Sequence, residues 1–227
     1  MDLSELEKSI NYRFKDKGLL KEALTHRSYL NENPSWGFSN NERLEFLGDA
    51  VLELASTEEL FHRFPKENEG QLTSYRSALV NYQMLSEIAR FLELGKFILL
   101  SRGEAKDTGR ARDVILANAF EALIGAIYLD SDYSSAKKFV NEKVVTARLE
   151  EVLKKGLYKD AKSLLQEKAQ SEFKITPFYK VLSETGPDHA KLFEVGVYFG
   201  DKLMGTGSGL SKQDAELEAA KKALEVL

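Results

Sequence analysis

The chain has 227 residues, a formal net charge of −4, 43% hydrophobic and 30% charged residues, and no cysteine. That length accommodates two domains, and no stretch approaches the ~18 uninterrupted apolar residues of a membrane span. The missing thiols exclude disulfides, thiolate metal sites and cysteine nucleophiles, and a cytoplasmic location is expected.

The first residues, Met1-Asp2-Leu3-Ser4-Glu5, lack a basic start followed by an apolar run, so no secretory signal is expected. Apolar residues at helical spacing predict a helix over Leu3 to Ile10 and another over Lys17 to Ala23, with Thr25 to Tyr29 following. Asn31 to Ser39 has loop composition. A long helix is predicted from Asn41 to Phe61, a loop at Pro65 to Gly70, and a helical stretch that a break can interrupt from Gln71 to Leu92. Ser101 to Arg112 is polar and holds glycines, which reads as a surface loop. Asp113 to Leu129 and Tyr133 to Lys154 are predicted helices.

The pattern changes after Lys154-Lys155-Gly156. A helix over Asp160 to Ser171 precedes strands at Phe178 to Glu184, Leu192 to Phe199 and Lys202 to Gly207. Gly186 to His189 is a turn, and Gly200-Asp201 a tight hairpin. Ser211 caps a last helix, with Asp214 at the third position where a capping box usually has Glu. The expectation is a mainly α chain: an all-helical domain over residues 1–154, a linker at 155–159, and a small α-β-β-β-α domain over 160–227 with both helices on one face of its sheet.

Chemistry concentrates in two predicted helices. In Asn41-Glu-Arg-Leu-Glu-Phe-Leu-Gly-Asp-Ala50, Glu42, Glu45 and Asp49 are spaced to share one face among Leu44, Phe46, Leu47, Val51, Leu52 and Leu54. Asn118 and Glu121 recur at the same spacing in Ile115 to Gly125. A carboxylate in apolar surroundings needs compensation for lost water. Arg43 or Arg76 could supply it as partners of Glu45 and Asp49. Two such helices facing each other instead point to a shared hard-cation site for Mg²⁺ or Mn²⁺. Gly48 and Gly125 would let the helices approach closely. Glu42 also reads as a helix-start carboxylate, and His26 as a structural, hydrogen-bonded histidine.

The block Asn41 to Ala50 resembles the signature stretch of ribonuclease III. The C-terminal module, ending in Gly207-Ser-Gly-Leu-Ser211-Lys212-Gln213, resembles a double-stranded-RNA-binding domain. Ala23 to Tyr29, Phe64-Pro65 with Glu69-Gly70, and Glu121 to Asp130 fit the same family, so the likeness covers nearly the whole chain. It implies a homodimeric, Mg²⁺-dependent endoribonuclease of double-stranded RNA in ribosomal and messenger RNA processing, with no small-molecule cofactor and no membrane partner. Each subunit would cut one strand, leaving 5′-phosphates and short 3′ overhangs.

By the same resemblance Glu45 and Glu121 are metal ligands and Asp49 a catalytic carboxylate. Glu42 and Glu69 belong to the dimer valley and its processing centre, and Glu104 occupies a recurrent acidic position. Asn118 stands where the family has Asp. Asn118 is counted with Glu45 and Glu121 as a metal ligand and catalytic position, since an amide oxygen can coordinate, but it adds no charge, so weak metal binding and impaired cleavage are expected. Drift and a substitution that halts cleavage while keeping RNA bound both remain open; intact Leu116, Ala117 and Glu121 favour the second. The alternative function is a protein that binds duplex RNA without cutting it. For the binding module the resemblance implies Ser163, Gln166 and Gln170 at one minor groove and His189 at the next. Ser211 and Lys212 would meet the phosphates between them. Gln213 replaces a family Lys, which removes about one phosphate contact from the salt dependence.

Overall fold

The computed structural model describes residues 3–159, 161–187 and 191–227. The chain divides into two compact units, Met1–Tyr158 and Lys159–Leu227. The first is helical: α1 (Ser4–Ile10), α2 (Lys17–Ala23), α3 (Arg27–Glu32), α4 (Glu42–Arg63), α5 (Glu69–Val80), α6 (Tyr82–Phe91), α7 (Arg110–Asp130), α8 (Tyr133–Val140) and α9 (Thr146–Lys155). Helix α7 is its axis. Leu116, Ala117, Ala119, Phe120 and every residue from Ala122 to Ile127 are buried, as in a helix that is apolar on all sides.

Asn81 breaks the stretch between Gln71 and Leu92. Its backbone is extended, and its side-chain oxygen accepts the Met84 N–H at 2.9 Å while its amide donates to Ser77 and Ala78 carbonyls. One residue therefore closes α5 and opens α6. The predicted helix Tyr133 to Lys154 is not uniform: a π-helical turn, Asn141–Val145, lies between α8 and α9. The wider turn holds one extra residue, so that adjacent Val144 and Val145 are both buried. Helix α7 begins at Arg110, inside the expected loop, which also holds a short 3₁₀ turn at Glu104–Lys106.

A second correction concerns α4. Of the apolar residues around the acidic block, Leu44, Val51 and Leu52 are buried. Phe46, Leu54 and Phe61 instead stand 82%, 53% and 65% exposed. Their spacing of eight and seven residues puts them on one outer stripe, where periodicity alone gives no sign of exposure.

The C-terminus of α7 is tied back to the start of the unit. Asp130 accepts hydrogen bonds from the Lys15 and Asp16 N–H groups and the Tyr12 hydroxyl, at 3.0, 2.7 and 2.7 Å. Burial pushes the Asp130 carboxyl up, but these three donors outweigh it and leave the group below the usual range.

In the second unit α10 (Ala161–Lys168) runs into a π-helical turn, Ala169–Phe173, and is followed by β1 (Phe178–Thr185), β2 (Leu192–Phe199), β3 (Lys202–Gly209) and α11 (Lys212–Glu225). The sheet is antiparallel in the order β1-β2-β3, with Phe178 opposite Tyr198 and Phe193 opposite Gly209. Gly200 has φ +57°, a left-handed turn conformation that suits glycine. Ala161, Leu165, Val197, Phe199, Ala219 and Ala223 form a separate small core. Helix α11 lies directly on β3: a methyl group on Gly207 would stand 2.2 Å from the Ala219 nitrogen and 2.3 Å from the Ala215 carbonyl oxygen. Only glycine fits such an approach.

Candidate functional site

The acidic block is anchored before it carries any chemistry. Asn41 is buried; its N–H donates to the Thr25 carbonyl at 2.9 Å, and its own carbonyl accepts from Glu45 N–H at 2.8 Å. This fixes the start of α4 against the segment between α2 and α3. One turn later α4 crosses α7 at backbone contact. A methyl group on Gly48 would lie 1.8 Å from the Glu121 carbonyl oxygen, and one on Gly125 would lie 2.3 Å from that of Leu44. The packing role expected of both glycines is thus a steric requirement.

That crossing brings Glu45 and Asp49 of α4 beside Asn118 and Glu121 of α7. Glu45, Asn118 and Glu121 are half-buried, and Asp49 is exposed. Burial pushes the Glu121 carboxyl up to about 8, helped by the charges of Asp49, Glu45 and Glu53. Burial also raises Glu45, together with Glu42 and Asp49, while a side-chain hydrogen bond from Asn118 opposes the rise. Asn118 thus offsets part of what burial does to Glu45. An Asp in its place would be a fourth carboxyl group in the cluster.

Among the described residues no ion pair reaches Glu45, Asp49 or Glu121. Arg76 binds Glu53 instead, at 2.8 Å. The donors are all hard oxygens, and their mutual repulsion is what a divalent cation relieves, so the residues fit Mg²⁺ or Mn²⁺. Among the described residues no three Asp, Glu, Cys or His side chains form a metal-holding group by themselves. The half-buried donors are two carboxylates, Glu45 and Glu121, with the neutral Asn118 beside them and Asp49 exposed at the rim.

The other expected residues are dispersed. Exposed Glu42 sits 3.5 Å from Arg27. Glu69 opens α5 and lines a groove with Leu60, Phe61 and Leu72. Glu104 begins its 3₁₀ turn and acts electrostatically on His26. His26 caps α3, and burial holds its imidazole below the usual range, in keeping with a structural, neutral ring.

In the second unit Ser163, Gln166 and Gln170 are exposed, and Gln170 donates to Thr176 at 3.5 Å. His189 lies outside the described residues. Ser211 caps α11 by accepting the Asp214 N–H at 3.1 Å. Lys212 lies over the Phe193 ring and 3.1 Å from Glu184, a contact the sequence did not reveal. The partners are 28 residues apart in sequence, and antiparallel pairing brings them together.

Two family descriptions match the chain: "Ribonuclease-III-like" over residues 16–148 and "Double-stranded RNA binding motif" over residues 161–227. Among curated relatives, Ribonuclease 3 of Nitratiruptor sp. is 46% identical over 99% of this chain and 96% of its own length. Ribonuclease 3 of Borreliella burgdorferi is 45% identical over 99% and 91%. The crystallised nuclease domain of ribonuclease III from Campylobacter jejuni is 45% identical, with a TM-score of 0.58, over 64% of this chain and 95% of that one. A second structure of that domain, with a TM-score of 0.56, concerns structural flexibility in a region involved in dimer formation; it covers 63% of this chain and 98% of that one.

Proposed function

The chain belongs to the ribonuclease III family, and we propose that it binds double-stranded RNA through its second unit and carries a Mg²⁺-dependent phosphodiester-cleaving centre in its first. The observation that supports this most is the cation-free cluster of Glu45, Asp49 and Glu121 that the Gly48–Gly125 crossing forces together.

In this reading Glu45 and Glu121 hold the ion, with Asn118 as a neutral neighbour. Bound there, Mg²⁺ polarises the phosphoryl group, lowers the pKa of water and stabilises the leaving 3′ oxygen. Asp49, exposed at the rim, accepts a hydrogen bond from the attacking water and orients it. The products are 5′-phosphates with short 3′ overhangs, and the substrates are ribosomal and messenger RNA precursors in the cytoplasm.

The working form in this reading is a homodimer. Its support is the exposed stripe of Phe46, Leu54 and Phe61, since apolar surface on this scale is normally covered. The described dimer region of the Campylobacter jejuni relative agrees. Two copies related by a two-fold axis would present two centres, one for each RNA strand, with Glu42 and Glu69 bordering the valley between them.

In the second unit Ser163, Gln166, Gln170 and His189 would address the minor grooves of an A-form duplex, and Ser211 and Lys212 the phosphates between. A second reading, duplex binding without cleavage, is favoured by Asn118 alone. Gel-shift titration of the intact chain in chelator separates the binding claim from chemistry. Duplex should be retained and single-stranded RNA of the same sequence should not; equal affinity for both would refute the proposal.

A further inference from the structure

A cleft of about 760 Å³ opens between α1 and α2, and no residue of the acidic centre lines it. Its floor is Leu3, 6% exposed, and Glu7, whose side chain is 12% exposed. Glu7 is already committed: one carboxylate oxygen accepts the Phe14 N–H at 2.7 Å and pairs with Lys17. The chain turns at Asn11, a left-handed residue with φ +54°, and so brings Tyr12 and Arg13 to the same cleft as Lys8. Tyr12 is fixed on two sides. Its hydroxyl donates to Asp130 at 2.7 Å, and its ring meets Phe14 edge-on with centroids 4.9 Å apart.

The charge of this cleft is positive. Among the described residues Lys8, Arg13, Lys17 and Lys21 line it against a single carboxylate, Glu7. Asp16, between Arg13 and Lys17 in sequence, is not part of the lining; it caps α2 by accepting the Gly18 N–H at 2.7 Å. Glu7 pairs with Lys17, which leaves Lys8, Arg13 and Lys21 with no ion-pair partner among the described residues. Lys21 lies 5.0 Å from the centre of the Phe38 ring, a contact that steadies the ammonium without using an N–H donor on an oxygen. Three unmatched cations around one concavity repel each other, in a chain whose net charge is −4, and a compact polyanion relieves that repulsion. The volume falls within the roughly 300–1,000 Å³ of small-molecule sites. Tyr12 adds a fixed aromatic wall, and the exposed Asn11 amide offers both a donor and an acceptor, which suits a flat heterocycle.

We propose that this cleft binds a free nucleotide, with its phosphates on Lys8, Arg13 and Lys21 and its base against Tyr12. The planar fork of Arg13 takes two phosphate oxygens at once, while the two lysines act as point charges. The site uses no residue of the acidic centre and none assigned to RNA, so it stands or falls apart from the function proposed above.

The test is calorimetric titration of the intact chain with ADP, in chelator so that no divalent ion carries phosphates to the carboxylates. One ADP per chain is expected, bound at least about tenfold more tightly than inorganic pyrophosphate or adenosine. Lys8→Ala/Arg13→Ala should weaken ADP binding by at least about tenfold, and Arg13→Lys, which keeps the charge and loses the fork, should fall between. Lys8 and Arg13 are exposed, so the melting temperature of the ligand-free double variant should match the native one. ADP should then raise the native melting temperature and leave that of the variant in place. Added duplex RNA should not change the ADP affinity. Absence of ADP binding overturns the proposal, and so does native affinity in the double variant. Pyrophosphate binding as tightly as ADP overturns the nucleotide assignment. Loss of ADP when duplex is added overturns it too, because the cleft would then be a contact for the RNA backbone.

Discussion

In the first unit Gly48 and Gly125 bring two helix backbones together; in the second, Gly205 and Gly207 bring a helix onto a strand. The charges at the two crossings are treated differently. Around the helix crossing, Glu45, Asp49 and Glu121 converge with no ion-pair partner among the described residues, and Glu121 is pushed up to about 8 by burial and its acidic neighbours. In the helix–strand unit charges are matched: Lys162 lies 2.6 Å from Glu216, Lys212 lies 3.1 Å from Glu184, and Lys159 pairs with Glu167. Matched pairs at a surface contribute about 0–1 kcal/mol each and report little about function. Carboxylates crowded without a partner cost stability, and that cost is the basis of the proposed ion site.

The comparison breaks most severely at the glycines. Gly48→Ala should destabilise the first unit by at least about 3 kcal/mol, because a methyl group there meets backbone that cannot rotate away. Gly207→Ala should cost the second unit about 2–3 kcal/mol. With two separate cores, calorimetry should show one transition falling while the other holds. Movement of both transitions in either variant would mean that the units do not fold independently.

A smaller effect is expected at Asp130, whose carboxylate is matched by three donors in the same unit that leaves its centre unmatched. Asp130→Asn should cost about 1–2 kcal/mol at neutral pH. Its folded pKa is depressed, so its contribution is complete above the ordinary carboxylate value near 4 and fades as pH falls through the lower folded value. Urea melts should therefore separate variant and native at pH 7 and bring them together in acid. A constant gap across that range would assign the loss to packing.

The smallest stability effect belongs to Lys212→Ala. Losing the exposed Glu184 pair should leave stability nearly unchanged, while the salt dependence of duplex binding flattens by about one unit. An unchanged slope would leave Lys212 as a surface pair and nothing more.

Much of this was legible from residue pattern. Carboxylates inside apolar helices marked Glu45, Asp49 and Glu121, and the glycines beside them marked the crossing. Ser211 read correctly as a cap because the rule is local. Contacts between distant segments were not legible: nothing in a periodicity links Asp130 to Lys15, Ser28 to Ser101, or Lys212 to Glu184. The exposure of Phe46 and Leu54 escaped for a related reason. An apolar residue at helical spacing looks the same whether its own core or a second molecule covers it. Asn118 could be read as a departure from the resemblance, but only the packed site reveals that it works against the raised pKa of Glu45.

The most direct test compares the native chain with Asn118→Asp on a long RNA duplex, scoring binding and cleavage together while Mg²⁺ is titrated. Equal binding by both is predicted, with cleavage by the Asp variant faster by at least about 100-fold, the scale on which one charge-stabilising group at a catalytic centre is felt. Equal cleavage by both would contradict the account, because a neutral amide would then serve where a carboxylate is claimed to be needed.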